Sequence, residues 1–279
     1  MKNYSLSIIR TALLTTLCCA FLFSCDDAED AVVPDSTSST TNAISEEVKS
    51  QFASLGFDVS DLTKVGNDYM VEGDMVVTQE ALDNMLSSDP VIVNNAVGEQ
   101  YRTFNLVSRN LRTIRIRSTN NNSRVLLAID RAIFNFNQLG LTFRMERVGA
   151  NQSADITVEI VSGTRFLGSA GFPTGNGRPW NRVLLDVNAF NGRSDDLAEE
   201  TTTHELGHCV GLRHSDWYDR SFSCGRGGNE EQPPSGLGVV GIPGTVRQDP
   251  ESIMNSCGAV TRSDGEFSRF DQVALRELY

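Results

Sequence analysis

The chain has 279 residues, of which 39% are hydrophobic and 22% charged, with a formal net charge of −12. That length allows one large domain or two small ones with an ample buried core, and the composition is ordinary for a globular protein. The acidic balance argues against a nucleic-acid partner, because a phosphate backbone calls for a basic face.

At the N-terminus, Lys2 and Arg10 form a positive start before an apolar run from Thr11 to Phe23. The run has the length of a signal-peptide core and is too short to span a bilayer as a helix. Leu22-Phe23-Ser24-Cys25 resembles a bacterial lipobox. The resemblance implies that residues 1–24 are a lipoprotein signal peptide, that cleavage falls before Cys25, and that its thiol carries lipid. The protein is then exported and tethered by acyl chains to a bacterial membrane, at the cell envelope or surface; simple secretion is the alternative. Residues 25–43, rich in Asp, Ser, Thr and Ala, read as a disordered linker with too little apolar surface to fold.

Residues 44–98 read as a small pro-segment-like unit. A short helix is expected over Ser45–Phe52, a strand over Asp68–Val77 and a helix over Thr78–Leu86. From Tyr101 the pattern changes. Leu111–Arg117 alternates with the period of a half-buried strand. Arg124–Gln138 places Val125, Ile129, Ala132, Ile133 and Phe136 on one helical face, and Gly140 stops that helix. Leu141–Val148, Asp155–Val161 and Val183–Val187 read as strands, and Gly163–Trp180 as a loop rich in glycine and proline. A helix follows from Asp196 to about Gly211, with Asp196 and Glu199 in the form of a capping box. A last helix runs from Ser268 to Leu278. The order of strand, helix, strands and helices gives an α+β domain over 101–279.

The chain has only three histidines, and all three fall in Thr203-His204-Glu205-Leu206-Gly207-His208-Cys209-Val210-Gly211-Leu212-Arg213-His214. On a helix, residues four apart lie about 40° apart on one face, so His204 and His208 can grip one tetrahedral metal ion. Glu205 flanks that face. Gly211 can take the left-handed conformation that ends a helix, letting His214 swing back as a third ligand. Three protein ligands with a fourth position left open mark a catalytic zinc.

This segment matches the extended His-Glu-x-x-His-x-x-Gly-x-x-His signature and resembles the metzincin zinc peptidases. Ser215, directly after the third histidine, is similar to the matrixin branch. Ser252-Ile253-Met254-Asn255 resembles the Met-turn, which would set Met254 as an apolar floor beneath the zinc. The Leu-Gly-His core, Cys224, Cys257 and the closing Phe267–Tyr279 segment look closest to the dual-action HEIGH metallopeptidases, although Leu206 stands where that name has isoleucine. No tyrosine closely follows Met254, so the tyrosine known in astacin-like relatives has no match. The resemblance implies a metzincin-like catalytic domain: a mixed twisted sheet, an active-site helix, the Met-turn and a C-terminal helix. It implies an endopeptidase that hydrolyses protein or peptide substrates through a zinc-bound water activated by Glu205. In metzincins the strand matching Val183–Val187 would be the edge that binds substrate. The irregular stretch from His214 to Met254 would form a wall of the specificity pocket. Glu72-Gly73-Asp74-Met75 resembles the aspartate-switch motif of astacin-type pro-segments, so Asp74 could reach the zinc and hold the enzyme latent.

Cys224 and Cys257 flank a long connection and are expected to pair in an oxidising compartment, while Cys209 is expected to be a small buried apolar residue. Asp216, Asp219, Asp249 and Asp264 lie in loops and could attract Ca2+, but no spacing forms a calcium motif, so calcium is unsupported. A different class of function is a lipid-anchored binding or adhesion protein with a non-catalytic zinc site; that reading gives Glu205 no role.

Overall fold

Glu46–Ser54 forms helix α1, capped by the Ser45 side chain, which accepts from the Val48 N–H. Three short strands follow, β1 (Thr63–Val65), β2 (Asp68–Val71) and β3 (Met75–Val77), and then helix α2 (Gln79–Ser87). After β4 (Gln100–Arg102) come β5 (Thr113–Ser118), α3 (Ser123–Asn137), β6 (Arg144–Arg147), β7 (Ile156–Val161), β8 (Gly168–Gly171) and β9 (Arg182–Asp186). The chain closes with α4 (Asp195–Cys209), the single turn α5 (Ser221–Cys224), β10 (Val240–Ile242) and α6 (Arg269–Leu278). This computed structural model describes residues 44–87, 100–225, 239–261 and 264–279. The expected signal peptide 1–24, Cys25, the expected linker 25–43 and the end of the expected 44–98 segment lie outside the described residues. The described residues all belong to one compact unit, 42–279.

The architecture is α+β. Eight strands form one mixed sheet in the order β1-β2-β3-β8-β9-β7-β5-β6. Strands β9, β7, β5 and β6 run parallel, β8 runs antiparallel to β9, and β3 runs parallel to β8. Alternation in β5 buries Ile114 and Ile116 while Arg115 faces solvent. These side chains meet Ile129, Ile133 and Phe136 of α3 and Leu206 and Cys209 of α4 in the main core. A second apolar cluster, including Phe52, Phe57, Val71, Met75 and Leu82, lies under the N-terminal strands. Tyr279 closes the main core: its ring stacks edge-on against Phe143 at 4.9 Å, and its hydroxyl donates to the Val210 carbonyl.

Four local expectations are corrected. Asp68–Val77 is not one strand but a hairpin, because Glu72 and Gly73 both take positive φ (55° and 93°) and reverse the chain. The stretch 163–180 is not all loop: it contains β8, whose Gly-Ser-Ala-Gly sequence carries no alternation to read. With β8 in place, the Val183–Val187 segment is interior to the sheet rather than its edge. The cap of α4 is Ser194, which accepts from the Leu197 N–H, and Asp196 sits inside the first turn where its charge favours the helix dipole.

Candidate metal centre

Helix α4 is buried almost all round, from Ala198 to Cys209, although its sequence is polar. The hydroxyls of Thr201, Thr202 and Thr203 solve part of that problem by donating to carbonyls four residues back, at 2.9, 2.7 and 2.8 Å. His204 and His208 leave the same face of the helix. The helix then ends and Gly211, at φ 106°, turns the chain. A Cβ there would lie 2.9 Å from Leu106 Cδ2 and 3.1 Å from the Asn105 carbonyl, so the turn requires glycine for space as well as conformation. His214 is carried back onto the other two rings: the ring centroids lie 4.6, 5.3 and 5.0 Å apart.

Each imidazole is held from its Nδ1 side. His204 Nδ1 lies 2.6 Å from the Ile253 carbonyl, and His208 Nδ1 lies 2.8 Å from the Leu212 carbonyl. A carbonyl can only accept, so these nitrogens carry the hydrogens and the Nε2 lone pairs point inward. His214 Nδ1 lies 3.1 Å from a carboxylate oxygen of Glu72. The inward atoms converge. His204 Nε2 and His208 Nε2 are 3.0 Å apart, and Asp74 Oδ2 lies 3.4 Å from His204 Nε2 and 3.2 Å from His214 Nε2. One ligand atom from each of Asp74, His204, His208 and His214 falls within 4.8 Å of the others. Tetrahedral zinc with bonds of ~2.0–2.1 Å would space neighbouring ligands at about 3.3–3.4 Å, so the four side chains fit that ion. Three neutral imidazoles and a carboxylate are also suitable donors for zinc. Among the described residues, Asp74 Oδ1 and Glu205 Oε2 are buried without a hydrogen-bond partner, as expected of oxygens facing a metal site.

Electrostatics in the cluster follow from burial and crowding. Burial alone would raise Asp74, but the charges and hydrogen bonds of His214 and His204 hold it well below the usual carboxylate range. Burial alone would lower His214, but Asp74 and then Glu72 push it up to about 10. Burial, then the neighbouring imidazoles, lowers His208. Burial, reinforced by the charge of Asp74, raises Glu205 well above an ordinary glutamate.

Met254 lies beneath α4 with 2% of its surface exposed, and its sulfur is so close to Gly207 that a Cβ there would come within 2.6 Å. Its carbonyl accepts from the Ser215 N–H at 2.8 Å. Cys224 and Cys257 are joined by a disulfide with a Cα–Cα distance of 5.2 Å, and Cys209 is a buried free thiol. The Ser256–Gly258 stretch lines a cleft of about 520 Å³ beside His204 and Glu205, whose other wall includes Asp61, Met70 and Asp74. Part of the predicted specificity wall, residues 226–238, lies outside the described residues. Asp216, one of the loop acids, is occupied by Ser256 and Ser223, and the metal-type cluster found among the described residues is the histidine one.

Sequence reasoning missed four contributors. Glu72 stood in the quoted Glu-Gly-Asp motif but carried no role of its own. Arg213, inside the histidine motif, is 1% exposed and donates to Glu72 Oε1 at 3.0 Å. The carbonyls of Ile253 and Leu212 leave no mark in a sequence at all.

A buried site of three histidines and a carboxylate on an α+β scaffold, beside a glutamate and an open cleft, defines a metal-dependent hydrolase. Residues 69–279 match the dual-action HEIGH metallopeptidase family, and the chain belongs to it. It is a zinc-dependent peptidase, acting on protein or peptide substrates. The matched stretch begins within β2 and so takes in both Glu72 and Asp74. Similar solved structures include myroilysin, at 14% identity and TM-score 0.38 over 66% of this chain and 95% of that one. Others are high choriolytic enzyme 1, a hatching-enzyme zinc protease from Oryzias latipes (19%, 0.38, 63% and 94%), and archaemetzincin from Methanopyrus kandleri (15%, 0.34, 58% and 92%). These likenesses are too distant to bear on the chemistry. No curated protein matches the chain.

Proposed function

We propose that the chain is a zinc endopeptidase in which His204, His208 and His214 hold the metal and Glu205 is the general base. The observation that carries this is the convergence of three Nε2 atoms and one carboxylate within 4.8 Å, with the Glu205 carboxylate buried alongside. Zinc bound there supplies Lewis acidity, which polarises a scissile carbonyl and eases removal of a proton from water. Glu205 takes that proton as the water oxygen attacks the carbonyl carbon. It then passes the proton to the amine nitrogen as the C–N bond breaks. Burial suits Glu205 to hold a proton between the two transfers. The β8 strand borders the site, and its outer edge is where an extended substrate would add by backbone pairing. The test is Glu205→Gln in chain freed of residues before 101 by limited proteolysis. Casein hydrolysis should fall roughly 10²–10⁴-fold while zinc stoichiometry holds. Undiminished hydrolysis would remove Glu205 from the mechanism. Zinc binding without turnover in the unmutated, processed chain would favour the binding-protein reading instead.

Latency belongs to the same proposal. Its support is that Asp74 carboxylate oxygens lie 3.4, 4.0 and 3.2 Å from the Nε2 atoms of His204, His208 and His214, while β3 occupies the outer edge of β8, with Met75 opposite Ala170 and Val76 opposite Gly171. The 44–87 segment would thus block both the metal's open corner and the substrate's edge. Export and lipid anchoring at Cys25 remain a reading of Leu22-Phe23-Ser24-Cys25 alone. Labelled palmitate should enter the wild-type chain and not Cys25→Ala; equal labelling of both would refute anchoring at that thiol.

A further inference from the structure

Two of the three histidines are oriented by carbonyls of their own surroundings, Ile253 and Leu212. The third is oriented by a side chain that arrives from a distant hairpin. Glu72 places Oε2 3.1 Å from His214 Nδ1 and accepts from Arg213 Nη2 on Oε1 at 3.0 Å. The same Oε1 accepts from the Asp58 N–H at 3.2 Å. Glu72 is 1% exposed, and the Arg213 guanidinium that it meets lies 4.0 Å over the Phe57 ring.

The backbone of Glu72 is a separate observation. Among the described residues it is the non-glycine residue with positive φ, at 55°. Hairpin turns with successive residues at positive φ ordinarily use Asn, Asp or Gly at the first. A long glutamate side chain gains nothing from that conformation, so a strained backbone at this point needs a reason in what the side chain touches.

We propose that Glu72 is a positioning residue of the metal centre, fixing the His214 ring from its Nδ1 side and so setting how tightly the three histidines hold zinc. A carboxylate on the far nitrogen of a ligating histidine holds the ring's orientation and tautomer and raises the basicity of the other nitrogen. The hairpin that brings Asp74 to the site therefore does two jobs through neighbouring residues. Asp74 would supply a fourth ligand beside the three histidines, and Glu72 braces one of those histidines. A chain that loses residues 44–87 loses this brace along with the block, and should hold zinc less tightly than the intact chain. The proposal rests on the reading of the three histidines as zinc ligands.

The experiment is chelator competition for zinc on the full chain, comparing wild type with Glu72→Gly, Glu72→Asn and Glu72→Gln. Glycine and asparagine both suit the positive φ, so they relieve the backbone, yet neither reaches His214. Glutamine restores an oxygen that can accept from Nδ1. Glycine and asparagine should weaken zinc binding about 10- to 100-fold and shift the visible spectrum of the cobalt-substituted protein, with circular dichroism unchanged. Glutamine should recover most of the affinity and the spectrum, which a merely structural role would not produce. A glycine or asparagine variant that holds zinc as tightly as wild type, with the same cobalt spectrum, overturns the proposal. A wild-type chain that binds no zinc overturns the histidine reading as well, so the two failures are distinguishable.

Discussion

Gly168 shows how tightly the Glu205 carboxylate, the proposed general base, is enclosed. A Cβ at this position would fall 2.6 Å from Glu205 Cγ and 2.7 Å from its Cδ, distances that real atoms do not share. Glu205 is 2% exposed and sits on a buried helix, so it cannot simply swing away. The alanine methyl must push the carboxylate off its position, and a displacement of about 1 Å at a reacting group can lower a rate roughly 10²-fold. Gly168→Ala is therefore expected to keep zinc, since the three atoms nearest the added methyl all belong to Glu205 and not to the four converging side chains, and to lose most of its peptidase activity in the processed form. Zinc content by atomic absorption alongside casein turnover checks this. Full activity in the alanine variant would mean that the Glu205 geometry does not govern the rate. The three histidines were legible because their spacing is a local property of one helix and one turn. Gly168 was not, because its significance lies in a residue 37 positions away that only the fold brings near.

At the scale of elements, the legible parts were those whose periodicity is imposed by one buried face. Helix α3 showed its apolar stripe, and β5 its alternation, because each lays a single side against the main core. Helix α4 has no stripe to show, since it is enclosed on all sides and satisfies its own threonine hydroxyls; it was found through its histidines rather than its pattern. The two elements that line the cleft beside the histidines were misread for opposite reasons. Strand β8 is four small residues buried on both faces, so nothing alternates. The β2–β3 hairpin read as one strand because its turn is made by Glu72-Gly73-Asp74, where the first residue is not one that usually turns a chain. The constraint that overrode local preference there is tertiary: Glu72 must meet His214 and Arg213, and Asp74 must meet the histidines.

Across the whole molecule, the 44–87 segment is built into the catalytic sheet rather than resting on it. Three of the eight strands come from it, and the sheet continues without a break from β3 to β8. Ion pairs tie the same segment down beside the cleft, where Arg220 reaches Asp58 at 3.2 Å and Asp61 at 3.0 Å. Under the proposed latency that arrangement would set two separate obstacles to catalysis: Asp74 at the metal and β3 along the edge where substrate would pair. They should be separable in a graded assay. The intact wild-type chain should be nearly inactive on casein. Asp74→Ala in the intact chain frees the corner beside the histidines but leaves β3 hydrogen-bonded to β8, so its activity should rise and still remain well below that of chain processed by removal of residues before 101. A small chromogenic peptide, which needs less of the edge than a folded protein does, should profit more from Asp74→Ala than casein does. Equal casein turnover by the intact wild-type chain and the processed chain would show that neither obstacle operates. Equal turnover by intact Asp74→Ala and the processed chain would show that the strand pairing adds nothing to the carboxylate.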